Sequence, residues 1–327
     1  MIVPDEVRKC VAFIGYEDGG QRRFAGSVFF LGRDTPGGRR ADPVYAVTAR
    51  HVVEWVRKRG DGQPLLRVNC ADGQAKWVPT DAAGWFSHPD DGSVDVAILR
   101  AGIPEGLDHL VFPYSQCVDE EKLRANEVGL GDEVFVTGLL RYHPGTRKNE
   151  PVVRIGNLAC MPEDKVLVSP SFGAMDAYLI EARSIGGLSG SPVFLNLGPV
   201  RMLGANLRFQ SGGPNVLLLG LIHGHFDTAA VDIDEVDPTT AADRSGGGNV
   251  NAGMAIVVPF KKIAETIAKF ENLTGYVHSN VESTLPGTRG PGAESEVTVA
   301  PVSPSAAATE AIPPGQSPPL SAGPEGG

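Results

Sequence analysis

The sequence predicts an all-β protein, a sandwich or barrel, on three observations. Short apolar or alternating runs recur along the chain, at residues 10–16, 26–31, 45–48, 94–99, 133–138, 152–156, 165–168, 177–181, 193–195, 216–224 and 254–258. Clusters of Gly, Pro and Asp punctuate them, which is the rhythm of short strands joined by turns. Helical spacing is confined to few segments, chiefly one near the end of the folded part. There Phe260, Ile263, Ala264, Ile267 and Phe270 fall on one helical face, with Pro259 at the start. A shorter helical stretch is predicted at residues 52–59.

Composition sets the limits. With 327 residues and 42% hydrophobic content the chain can bury a large core. A formal net charge of −10, with no basic stretch interleaved with aromatics, argues against a nucleic-acid partner. No apolar run approaches membrane-spanning length, and the first ten residues are charged without an apolar signal core. Cys10, Cys70, Cys117 and Cys160 are widely spread, form no Cys-x-x-Cys pair and do not flank the candidate site, so zinc is not expected and a reducing cytoplasm is the simplest compartment. From about residue 280 the chain becomes rich in Pro, Gly, Ala and Ser without aromatics, which predicts a disordered tail over 280–327. Within it, residues 311–319 have the proline content of a polyproline-groove ligand, though a flexible tail or linker is the simpler reading.

The chemistry centres on Ser189, in Gly186-Gly187-Leu188-Ser189-Gly190-Ser191-Pro192. Glycines on both sides allow a tight exposed turn, in which the amides of Gly187 and Ser189 can point to the same side as the hydroxyl. A nucleophile beside two donors for a developing oxyanion is what acyl transfer needs, each donor contributing about 2.7–4 kcal/mol in the transition state. Two further segments supply the other parts. Val44-Tyr45-Ala46-Val47-Thr48-Ala49-Arg50-His51 is an apolar strand ending in a histidine base. Ser93-Val94-Asp95-Val96-Ala97-Ile98-Leu99 puts a carboxylate at the mouth of an apolar strand, where it needs a strong partner such as an imidazole N–H. Asp90 and Asp91 compete for that role, but their setting, His88-Pro89-Asp90-Asp91-Gly92, is a polar turn.

These three segments resemble those of the trypsin/chymotrypsin-type serine peptidases. Thr48-Ala49-Arg50-His51 stands for the family's Thr-Ala-Ala-His, Asp95-Val96-Ala97-Ile98-Leu99 for Asp-Ile-Ala-Leu-Leu, and Gly187-Leu188-Ser189-Gly190-Ser191-Pro192 for Gly-Asp-Ser-Gly-Gly-Pro. The order His, Asp, Ser is that of the chymotrypsin-like fold. The resemblance covers residues 8–272. It implies two antiparallel six-stranded β-barrels, the first over 8–112 with His51 and Asp95, the second over 126–258 with Ser189, and a C-terminal helix over 259–272. It further implies a serine endopeptidase that needs no cofactor and no metal. His51, Asp95 and Ser189 would be the triad, Gly187 and Ser189 the oxyanion hole, and a peptide or protein the substrate.

The run Gly186 to Phe194, followed by Gly220-Leu221-Ile222-His223-Gly224, is similar to the bacterial glutamyl-endopeptidase branch, with stress proteases also close. That likeness implies that His223 and Ser184 line the primary pocket and favour an acidic residue before the scissile bond (P1). Leu188 departs from the family's Asp or Asn, which removes the ion pair used in digestive zymogen activation. Arg183 falls where trypsin carries its pocket aspartate, which disfavours basic P1 residues.

Three alternatives stand beside this reading. His223, His225 and Asp227 form a His-x-His-x-Asp pattern, but no remaining ligand set is evident and no metal is expected. Residues 227–237 carry several acids and read as a solvated loop, with calcium a minor option. The second functional reading is a latent or inactive peptide-binding module of the same fold, its site assembled by an activating partner protein.

Overall fold

A computed structural model describes residues 3–33, 43–102, 106–140, 143–169, 172–182, 187–204, 206–209, 215–229 and 249–275. Ser184, Arg183, most of the acidic loop to residue 237 and the whole tail over 280–327 lie outside the described residues.

The first half builds one eight-stranded sheet from β1 (Val11–Asp18), β2 (Gln21–Gly32), β3 (Val44–Thr48), β4 (Leu65–Asn69), β5 (Ala75–Pro79), β6 (Phe86–Ser87), β7 (Ala97–Ala101) and β8 (Phe112–Pro113). Its order is β5-β4-β1-β2-β3-β7-β6, with β8 parallel to β2. The second half contributes β9 (Glu133–Leu139), β10 (Pro151–Cys160), β11 (Val166–Ser169), β12 (Gly173–Met175), β13 (Tyr178–Glu181), β14 (Pro192–Asn196), β15 (Val200–Leu203), β16 (Asn206–Phe209), β17 (Val216–Ala229) and β18 (Asn249–Pro259). Six of these close a barrel in the order β10-β13-β18-β17-β14-β9. The protein is therefore mostly β, with one closed six-stranded barrel. The first half pairs as an eight-stranded sheet, and its ladders do not close on themselves among the described residues.

Among the described residues four α-helices complete the fold: α1 (Asp5–Lys9), α2 (Arg50–Arg57), α3 (Glu120–Ala125) and α4 (Phe260–Thr274). None of the described helices is long and apolar enough to cross a membrane. Helix α2 starts two residues earlier than the spacing predicts, which takes His51 into its first turn. Helix α4 buries Phe260, Ile263 and Ile267 and ends at Gly275 in the left-handed region, φ 67°. The hairpins β4–β5 and β15–β16 were not legible as strands: β5 and β16 are largely exposed and lack a buried face to impose alternation, while β4 is buried but only five residues long.

Specific polar contacts join the halves. Glu271 of α4 accepts from the Tyr45 hydroxyl of β3 at 2.8 Å and pairs with Arg33 at 3.0 Å. Arg67 of β4, almost fully buried, donates to the carbonyls of Pro144, Gly145 and Thr146 and to Asn149. Asn149 returns the clamp, its side chain donating to the Arg67 carbonyl at 2.6 Å and its amide to Asn69 at 2.7 Å. One continuous apolar core runs through both halves.

Candidate active site

His51 is the second residue of α2, and a helix start leaves its first amides without partners inside the helix. Asp95 satisfies one of them: the His51 amide donates to Asp95 Oδ1 at 2.9 Å, and the same residue's Nδ1 lies 2.7 Å from Asp95 Oδ2. The carboxylate comes from the connection just before β7, between the buried Val94 and Val96, and is itself fully buried. The two competing aspartates are used otherwise. Asp91 accepts from the Ser93 amide and hydroxyl in a tight turn, and Asp90 forms a surface ion pair with Lys269.

A second imidazole occupies the same carboxylate oxygen. His223 Nδ1 lies 2.5 Å from Asp95 Oδ2, and its ring meets the His51 ring edge-on at 5.0 Å. The reason is local. The β17–β18 register shifts between Ile222 and Gly224, so His223 sits in a β-bulge, which turns a side chain out of the strand's alternation. Phe172 walls the other side, its ring 4.7 Å from that of His223, with the Arg50 guanidinium 5.9 Å from the Phe172 ring. Burial pushes the Asp95 carboxyl up, but hydrogen bonds from His223 and His51 and their charge outweigh it. The net effect holds Asp95 well below the usual carboxylate range.

Ser189 sits in a turn between two glycines in the positive-φ region, Gly187 at 104° and Gly190 at 83°. The turn is moored on three sides. Its carbonyl accepts from the Ser27 amide at 3.0 Å, the Gly190 amide donates to Ile222 at 2.8 Å, and Ile222 donates back to Ser191 at 2.9 Å. Leu188 is the anchor: it is buried to 2% exposure, and a Cβ on Gly138 would come within 2.5 Å of it. Among the described residues, the amides of Gly187 and Ser189 have no acceptor, and the Ser189 hydroxyl has no hydrogen-bond partner.

His51, Asp95 and His223 thus converge, their donor atoms all within 4.8 Å of one another. The sequence pattern His223-x-His225-x-Asp227 suggested a different grouping. Bulges interrupt β17 at both His223 and Phe226, and His223 instead meets Asp95 and His51, which come from other elements. The role of Ser27 also escaped the sequence reading. It is fully buried, holds the Ser189 carbonyl, accepts from the Leu139 amide at 3.1 Å through Oγ and from the Thr48 hydroxyl at 2.7 Å through its carbonyl. A serine inside an otherwise apolar strand was the signal that could have found it.

No family model and no curated protein sequence matches the chain. Among solved structures, the chain is similar to Deg5, with 15% identity over 81% of this chain and 90% of that one, TM-score 0.44. It is also similar to an inactive mutant form of Rv3671c from M. tuberculosis H37Rv, with 18% identity over 80% of this chain and 88% of that one, TM-score 0.39. A third is catalytically inactive tobacco etch virus protease complexed with substrate, with 13% identity over 78% of this chain and 80% of that one, TM-score 0.39.

Proposed function

We propose that this protein is a serine endopeptidase of the trypsin-like type, working through His51, Asp95 and Ser189. The observation that carries the reading is the pair of hydrogen bonds from His51 to Asp95, through its amide and its Nδ1. An ionised carboxylate only accepts, so the proton resides on Nδ1 and Nε2 is left as a base. His51 Nε2 takes the Ser189 proton as Oγ attacks a peptide carbonyl, and the amides of Gly187 and Ser189 receive the oxyanion. His51 then protonates the leaving amine, and water, activated by the same imidazole, releases the acyl-enzyme. Asp95 holds the tautomer and stabilises the imidazolium. The division into a part over 8–112 carrying His51 and Asp95 and a part over 126–258 carrying Ser189 belongs to the same proposal, as does a cytoplasmic location, which four cysteines outside any disulfide support.

Acidic P1 selectivity by His223, with Ser184, is the finer part of the proposal. Because His223 Nδ1 is committed to Asp95, its remaining nitrogen can donate to an acid only when the ring is an imidazolium. The test of the main reading is labelling of purified protein with a fluorophosphonate probe, read by intact mass beside Ser189→Ala. Rapid labelling lost in the variant is the expected result; no labelling of folded protein removes the enzyme reading.

A second reading has one observation in its favour. The Ser189 hydroxyl is not bonded to His51, as in a latent module whose site a partner completes. Binding of peptides without turnover by the purified protein distinguishes it.

A further inference from the structure

We propose that His51, Asp95 and His223 form a binding site for a divalent transition-metal ion of the zinc class, and that the bound ion switches the site off. Two imidazole nitrogens and a carboxylate oxygen make a ligand set suited to zinc or cobalt. Both Nδ1 atoms already point at one oxygen, Asp95 Oδ2, from 2.7 and 2.5 Å. Tetrahedral zinc holds such donors at about 2.0–2.2 Å, which places them about 3.3 Å from one another. The two nitrogen–oxygen gaps must open by about 0.7 Å, and the ligand atoms of the trio all lie within 4.8 Å of one another, so small shifts suffice.

The donors are held by separate elements: the first turn of α2, the connection ahead of β7 and the bulge in β17. The Asp95 oxygen not used for the ion is already fixed by the His51 amide at 2.9 Å. Asp95 has no exposed side-chain surface and His223 only 11%, whereas His51 has 36%. An ion therefore enters over His51, and its remaining coordination position faces that side.

The consequence follows from imidazole chemistry. In the metal-free site the His51 proton is on Nδ1 and Nε2 carries a lone pair. An ion on Nδ1 takes the position of that proton. The displaced proton passes to solvent and the neutral ring takes one up on Nε2, with no change of oxidation state. Nε2 is then a donor and cannot accept the Ser189 proton. Inhibition rests on the peptidase reading; metal binding does not.

The full chain, stripped with a chelator, is titrated with Co²⁺ while its visible ligand-field absorption is followed, and Zn²⁺ is then added. One equivalent of cobalt in a low-coordinate site, displaced by zinc, is expected. His223→Ala and Asp95→Asn should weaken cobalt binding by at least about 100-fold, the upper range for disturbing even a supporting residue. His225→Ala, outside the trio, should leave it intact. Imidazole ¹H–¹⁵N spectra should show the His51 proton move from Nδ1 to Nε2 with zinc. Near-UV circular dichroism checks folding, with His223→Gln as the substitute if His223→Ala does not fold. No saturable binding, or binding unaltered by His223→Ala and His223→Gln, overturns the proposal. Fluorophosphonate labelling of the metal-free protein separates the two ideas: labelling without metal binding removes the metal site alone, and metal binding without labelling removes the peptidase reading alone.

Discussion

The amide of Ser27 donates to the carbonyl of Ser189 at 3.0 Å, so the first half of the chain holds the candidate nucleophile's own backbone. Ser27→Ala keeps that bond but leaves the buried Leu139 amide without its acceptor, at a cost of about 1–3 kcal/mol. Denaturant unfolding should register this loss, with fluorophosphonate labelling slowed but retained. Unchanged stability would show that the Ser27 hydroxyl does not fasten the halves.

Gly190 is expected to tolerate no side chain. At φ 83° a Cβ would come within 2.2 Å of both the Ser27 carbonyl and the Thr48 hydroxyl. Gly190→Ala should cost about 3 kcal/mol or more and abolish labelling of Ser189. A variant of wild-type stability that labels normally would mean that the turn is free to move away.

Asp95 ties stability to acid. Its folded-state carboxyl lies below the ordinary value of 3.8, so it stabilises the fold above that pH and loses the contribution as pH falls toward its folded value. Melting temperature should drop in the wild type below about pH 5, and less steeply in Asp95→Asn. Equal acid slopes in the two proteins would contradict this. The same variant should lower turnover by about 10⁴-fold, because an amide in place of the carboxylate disturbs the tautomer of His51.

Glu271 should act as a latch between the C-terminal helix and the first sheet. Glu271→Leu strands the buried Tyr45 hydroxyl and one Arg33 contact, an effect of about 2 kcal/mol. Hydrogen exchange should rise in β3 and α4 together; a rise in α4 alone would show that the contact does not couple them.

His223 bonds Asp95 through Nδ1 and leaves its other ring nitrogen for substrate. Any preference for Glu over Gln at P1 should be lost or much reduced in His223→Ala. Peptide-library cleavage by both proteins measures it, and a preference intact in His223→Ala takes His223 out of the pocket.

Much of this was legible from residues alone. Apolar alternation placed the strands around His51, Asp95 and Ser189, since each must bury one face, and the spacing of Phe260, Ile263 and Ile267 determined α4. Flanking glycines marked the turn at Ser189 because two positive-φ positions need them. What the sequence could not decide is which distant groups meet. The turn of His223 onto Asp95, the mooring of Ser189 by Ser27 and the Arg67 clamp all depend on register and on contacts between strands far apart in the chain. Local periodicity is set by each segment's own need to bury a face. Convergence of side chains is set by the packing of all segments together, and a single bulge at His223 is enough to redirect it.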